Sequence, residues 1–120
     1  MNVAIYGASK KPERYAFKAF SLLRENGHTV FPVHPRIKEI DGVTVYRSLK
    51  EIPEPLDTLS LYIGPAAQEG EVAGDILAAD LRRVIFNPGT ENPELEKSLL
   101  NKGVETLEAC TLVMLKTRQF

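Results

Sequence analysis

Short apolar runs alternate with stretches of helical spacing along the whole chain. NVAIY, at residues 2–6, predicts a first strand. From Glu13, the positions Ala16, Ala19, Phe20 and Leu23 recur on one helix face, and Gly27 supplies the stop. HTVFPVHP predicts a second strand ending at a proline, and Val43 to Tyr46 a third, short extended piece. A helical turn is expected near Ser48 to Ile52, then a strand from about Asp57 to Ile63. Val72, Ile76 and Ala79 form one face of a helix from about Ala66 to Ala79. RRVIFNPG predicts a further strand with its own glycine turn. Asn92 can cap a helix with Pro93 first, Leu95 and Leu99 inside and Gly103 at its end. VETLEA is the last strand, and LVMLKTRQF has no assigned element.

Strands that read as nearly continuous hydrophobic runs, alternating with helices, are expected of a parallel sheet covered on both faces. The expectation is α/β: a single doubly wound domain over residues 1–120, its mostly parallel sheet flanked by helices. The length of 120 residues suits one core.

Composition narrows the function. With 15 Lys and Arg against 16 Asp and Glu, the formal net charge is −1. No global basic field exists to hold nucleic acid or an anionic membrane. No apolar run reaches the roughly 20 residues of a membrane span, and a strand starting at residue 2 leaves no room for a signal peptide. Cys110 is the one cysteine, so a reducing cytoplasm is expected and a multi-cysteine metal site is ruled out. No metal site is assigned.

In an open α/β sheet, ligands bind beyond the carboxyl ends of the strands, where strand order reverses. Four turns at these ends stand out: Gly7-Ala8-Ser9, Val33-His34-Pro35-Arg36, Ile63-Gly64-Pro65 and Asn87-Pro88-Gly89. A phosphate at the first turn needs free backbone N–H groups, the positive end of a helix and small side chains. Gly7 and Ala8 allow close approach, and Ser9 offers a hydroxyl. Lys10, Lys11 and Arg14 add positive charge at a helix start, where cations are otherwise disfavoured. The second strand lacks the terminal acid that accepts the ribose hydroxyls of NAD. A basic residue there suits a ribose phosphate instead, which NADP and coenzyme A both carry.

GAS followed by two lysines and a proline, the PVxP close of the second strand, SLKEIPEPLD before the fourth strand, and a cysteine near the C-terminus form an ordered set. Together they resemble the small CoA-binding-domain proteins, which are similar to the nucleotide-binding domain of the succinyl-CoA synthetase α subunit. The resemblance implies a Rossmann-like fold with coenzyme A, or an acyl-CoA, as ligand. It implies that Gly7, Ala8, Ser9 and Lys10 hold the pyrophosphate, supported by Arg14. Val33, His34, Pro35 and Arg36 are then expected around the adenosine and 3′-phosphate, and Ile63, Gly64 and Pro65 along the pantetheine arm. The chain departs from the family where asparagine is common at His34, an arginine-bearing segment at Tyr62–Gly64, and a glutamine-containing turn at Phe86–Gly89.

No catalytic residue is assigned. Cys110 in EACTLVML reads as a small buried apolar residue. Glu105 and Glu108, with Glu91, Glu94 and Glu96, read as a solvated face. The leading expectation is non-catalytic binding of coenzyme A. The alternatives are a minimal NADP-dependent oxidoreductase, a subunit of an acyl-CoA ligase completed by other chains, and a relic that binds nothing.

Overall fold

A computed structural model describes residues 1–120 and places five of the apolar runs side by side in one parallel sheet. Its strands are β1 (Asn2–Tyr6), β2 (Thr29–Val33), β5 (Thr58–Leu61), β6 (Arg83–Phe86) and β7 (Glu105–Glu108). Their spatial order is β2-β1-β5-β6-β7. The chain goes from β1 outward to β2, then crosses back to β5 on the other side of β1. The reversal point is therefore the crevice between the carboxyl ends of β1 and β5, where Tyr6 pairs with Leu61. This is the doubly wound α/β fold that the alternation predicts, and the Rossmann-like one that the resemblance implies.

Alternation along β1 divides the core in two. Val3 and Ile5 face α1 (Tyr15–Glu25) and α5 (Thr111–Lys116), packing with Ala16, Phe20, Leu23, Leu112 and Leu115. Ala4 and Tyr6 face the other way, towards α3 (Glu71–Ala78) and α4 (Pro93–Asn101), with Ile76, Leu95 and Leu99. Phe20 and Leu23 are essentially inaccessible, and burying each such side chain is worth about 1.5–3 kcal/mol. No helix is long and apolar enough to cross a membrane.

Four local readings change. The helix expected over 66–79 is two: α2 (Pro65–Gln68), then α3, separated because Glu69 is extended. The segment around Val43 is half of a hairpin, β3 (Glu39–Ile40) with β4 (Val43–Thr44), closed by a two-residue Asp41-Gly42 turn. The unassigned tail forms α5, held by Leu112 and Leu115. Glu96 departs from the solvated face: it is half-buried, and its Oε2 is shielded from solvent without a hydrogen-bond partner. Burial, with Glu108 beside it, raises its pKa.

Candidate binding site at the strand ends

The first turn leaves β1 under tight constraint. The amides of Gly7 and Ala8 both donate to the Val33 carbonyl oxygen at 3.1 Å, so neither is free for a ligand. The amides of Ser9 and Lys10 donate to nothing in the chain, while the Ser9 hydroxyl accepts from the Lys11 amide at 3.1 Å. Helix α1 then begins at Tyr15, after Arg14, with no side-chain cap and no acid in its first turn. Its first N–H groups have no acceptor, which leaves the positive end of an 11-residue helix open. Gly7 has φ +91, and a Cβ there would lie 2.9 Å from Ile63 Cγ1 and 3.1 Å from the Tyr62 carbonyl. The loops after β1 and β5 therefore touch at a point only glycine can occupy.

Two cavities flank that contact. One, of about 640 Å³, lies at the start of α1; Lys10, Lys11 and Arg14 line it and no carboxylate does. Ser9, His34 and Gly64 also face it. The other, of about 810 Å³, lies towards α3 between Pro35 and Ile63. Its charges are mixed: Arg47 and Lys50 against Glu51, Glu71 and Asp75. The larger cavity is thus not the better phosphate site, because only the smaller has an uncompensated positive lining.

The expected site residues divide accordingly. Gly7, Ala8, Ser9, Lys10, Arg14, His34 and Gly64 border the smaller cavity. Pro35 and Ile63 border the larger. Arg36 faces a third hollow next to it. Val33 is wholly buried in β2, so its side chain contributes to the core and only its carbonyl reaches the turn. Pro65 starts α2, exposed, and lines neither cavity.

His34 holds the turn that follows β2. Its Nδ1 accepts from the amides of Arg36 at 3.0 Å and Ile37 at 3.1 Å. A short polar side chain that bonds its own backbone two residues on is what asparagine supplies in such turns. Two bonds at Nδ1 place the proton of the neutral ring on Nε2. Burial, then the nearby Arg36, lowers its pKa. His34 is therefore a turn-forming acceptor rather than a free base.

A buried amide network beneath the loops was not singled out by the sequence. Asn87 donates to Ser60 Oγ at 2.9 Å and to the Leu61 carbonyl at 3.0 Å, and accepts from the Thr111 amide at 2.9 Å. Gln68, fully buried, donates to the carbonyls of Ile63 and Thr90, both at 2.7 Å, and accepts from Asn92 at 2.9 Å. The loops after β5 and β6 are thereby tied together. The Tyr62 hydroxyl is shielded close to Ser60 and Thr111 without a well-formed bond, and burial pushes its pKa up to about 12. Cys110 is partly exposed rather than buried, at the start of α5.

Known proteins resemble this chain in sequence and fold. The sequence profile of the CoA binding domain matches residues 1–116. The uncharacterized protein YneT of Bacillus subtilis (strain 168) is 31% identical over 101 residues, covering 84% of this chain and 74% of that protein. The acetate–CoA ligase [ADP-forming] II subunit alpha of Pyrococcus furiosus is 39% identical over 64 residues, 52% of this chain but 14% of the subunit. A crystal structure of an uncharacterized protein superposes with a TM-score of 0.91 at 41% identity, covering 99% of this chain and 97% of its own. The chain belongs to the CoA-binding domain family.

Proposed function

We propose that the protein binds coenzyme A or an acyl-CoA and catalyses no reaction by itself. One observation carries this reading. Free amides at Ser9 and Lys10 and the uncapped start of α1 face a cavity lined by three cations and no carboxylate. The pyrophosphate fits there. The adenosine would cross the Gly7–Ile63 contact into the cavity between Pro35 and Ile63, and the pantetheine arm would leave past Gly64 and Gly89. The polar groups nearest the site are committed to structure: His34 Nδ1 to backbone amides, and Asp75 to Tyr6 and the amides of Leu49 and Lys50. Cys110 lines neither cavity.

Calorimetric titration of ligand-free protein with coenzyme A, NADP and NAD tests it. Binding of coenzyme A that falls at least about tenfold in a Lys10→Ala/Arg14→Ala variant supports the reading. Binding of NADP alone, or of nothing, overturns it.

The likeness to the ligase subunit favours a second reading, a CoA-holding subunit completed by other chains. Acyl-CoA-dependent ATP synthesis that appears only when candidate partner chains are added would support this second reading.

A further inference from the structure

Tyr15 is the most exposed large apolar side chain of the protein, with 69% of its surface open to solvent. Of the four such residues, the others being Met1, Leu100 and Val113, it alone borders either cavity at the strand ends. As the first residue of α1, it stands at the rim of the 640 Å³ cavity, next to Arg14. The Lys18 ammonium, three residues on, lies 5.5 Å from the ring centroid and braces the ring without covering it.

The same cavity is bordered by Pro88, Gly89 and Thr90 of the loop after β6. The polar groups of this loop are committed within the fold. Asn87, 2% exposed, directs its amide to Ser60, Leu61 and Thr111. The Thr90 hydroxyl donates to the Asn87 carbonyl at 2.8 Å and the Thr90 amide to the same oxygen at 3.0 Å. The Gly89 amide donates to Glu91 Oε1 at 2.9 Å, and Pro88 has no N–H. The cavity is therefore divided. Lys10, Lys11 and Arg14 serve an anion, whereas the loop after β6 offers a ligand no free N–H or hydroxyl. A group lodged between that loop and Tyr15 is held by dispersion and by the apolar surface it removes from water.

In the coenzyme pose the pantetheine arm leaves past Gly64 and Gly89, which brings its thiol end to this apolar part. We propose that Tyr15 and Pro88 form an acyl subsite, with Tyr15 as its specificity-determining residue. The ligand is then a thioester of an uncharged, apolar acyl group, aromatic in the best case, rather than free coenzyme A or a dicarboxylic thioester. This rests on the coenzyme reading above. A phenyl ring on the acyl chain can pair with Tyr15 in offset or edge-on contact. A terminal carboxylate would lose hydration there and find no donor in the loop after β6 to replace it.

The test compares the affinities of coenzyme A, acetyl-CoA, phenylacetyl-CoA and succinyl-CoA in the native protein and in Tyr15→Ala and Tyr15→Phe. Tyr15 is exposed and belongs to neither core cluster, so both variants should fold, which equal melting temperatures would establish. The native protein is expected to bind phenylacetyl-CoA about tenfold more tightly than coenzyme A, with acetyl-CoA within about threefold of coenzyme A. Tyr15→Ala should bring the ratio of phenylacetyl-CoA to coenzyme A to within about twofold of unity, and Tyr15→Phe should keep it. Equal native affinity for these two ligands would overturn the acyl subsite and leave the coenzyme reading standing. A native preference for succinyl-CoA, or a ratio that Tyr15→Ala leaves unchanged, would do the same. Binding of none of the four would refute both.

Discussion

Tyr6 donates its hydroxyl to Asp75 Oδ2 at 2.8 Å, linking the carboxyl end of β1 to the middle of α3 at the wall of the larger cavity. Asp75 also accepts from the amides of Leu49 at 2.8 Å and Lys50 at 3.3 Å, and so caps the short helical turn Leu49–Glu51. Burial, then Asp75, raises the Tyr6 pKa, so the phenol stays a donor throughout the ordinary pH range.

Removing either partner should have unequal effects. Tyr6→Phe loses one hydrogen bond and should cost about 1 kcal/mol. Asp75→Ala strands the hydroxyl and two amides and should cost about 2–4 kcal/mol. Urea denaturation of both variants measures this. Equal losses would mean that the cap on Leu49 and Lys50 contributes nothing.

The glycine at the first turn should be intolerant of any side chain. Gly7→Ala adds a backbone clash at Tyr62 to the strain of φ +91, and about 2 kcal/mol or more of stability should go. Gly27 has φ +84 but open space around it, so Gly27→Ala should cost about 1 kcal/mol from the backbone alone. The difference between the two denaturation midpoints isolates the contact with the β5 loop.

His34 should make stability depend on pH. Its folded pKa lies below the ordinary 6.5, so the unfolded chain holds more protons between the two values. The contribution is then fully present above about pH 6.5 and is lost as pH falls through the folded value. His34→Asn keeps an acceptor for the turn and does not titrate. Between pH 7.5 and 5, the native protein should lose stability relative to this variant. His28, also lowered by burial, is common to both and cancels. Parallel curves would show that the ring does not hold the turn.

Gln68 should govern the order of two loops at once. Gln68→Ala leaves the Ile63 and Thr90 carbonyls without their donor and should cost about 2–4 kcal/mol. Amide hydrogen exchange should quicken in residues 63–64 and 89–91 together. Faster exchange in one loop alone would show that the amide does not couple them.

What the sequence made legible was what local pattern encodes. Ala16, Ala19, Phe20 and Leu23 mark the buried face of α1 without reference to anything distant, and Asn92 with Pro93 marks the start of α4, where the Asn92 side chain accepts from the Leu95 amide. The break at Glu69 was hidden because Val72 and Ile76, which carry the helical period, both lie after it and say nothing of where their helix starts. Asp41-Gly42 carried a hairpin signal, but strands of two residues give no alternation to support it. Within the site, the cations at the start of α1 were plain because they adjoin in sequence. Arg47 was not, since its place beside Arg36 depends on the parallel pairing of Tyr46 with Val33. Asn87 read as a turn residue and Gln68 fell inside the expected helix with no role; only tertiary burial turns them into the supports of the loops.

The packing of α1 against α5 has a consequence for how the molecule is made. The face of the sheet towards α3 and α4 draws on residues up to Val104, whereas the α1 face needs Leu112 and Leu115 to cover Phe20 and Leu23. During synthesis, α1 can meet Val3, Ile5 and Val30 early, but the part of this cluster that Leu112 and Leu115 complete stays open until the segment after residue 110 has emerged. Contacts so distant in sequence slow closure and lengthen exposure. The segment that forms α5 is therefore where a nascent chain closes the exposed side of its sheet.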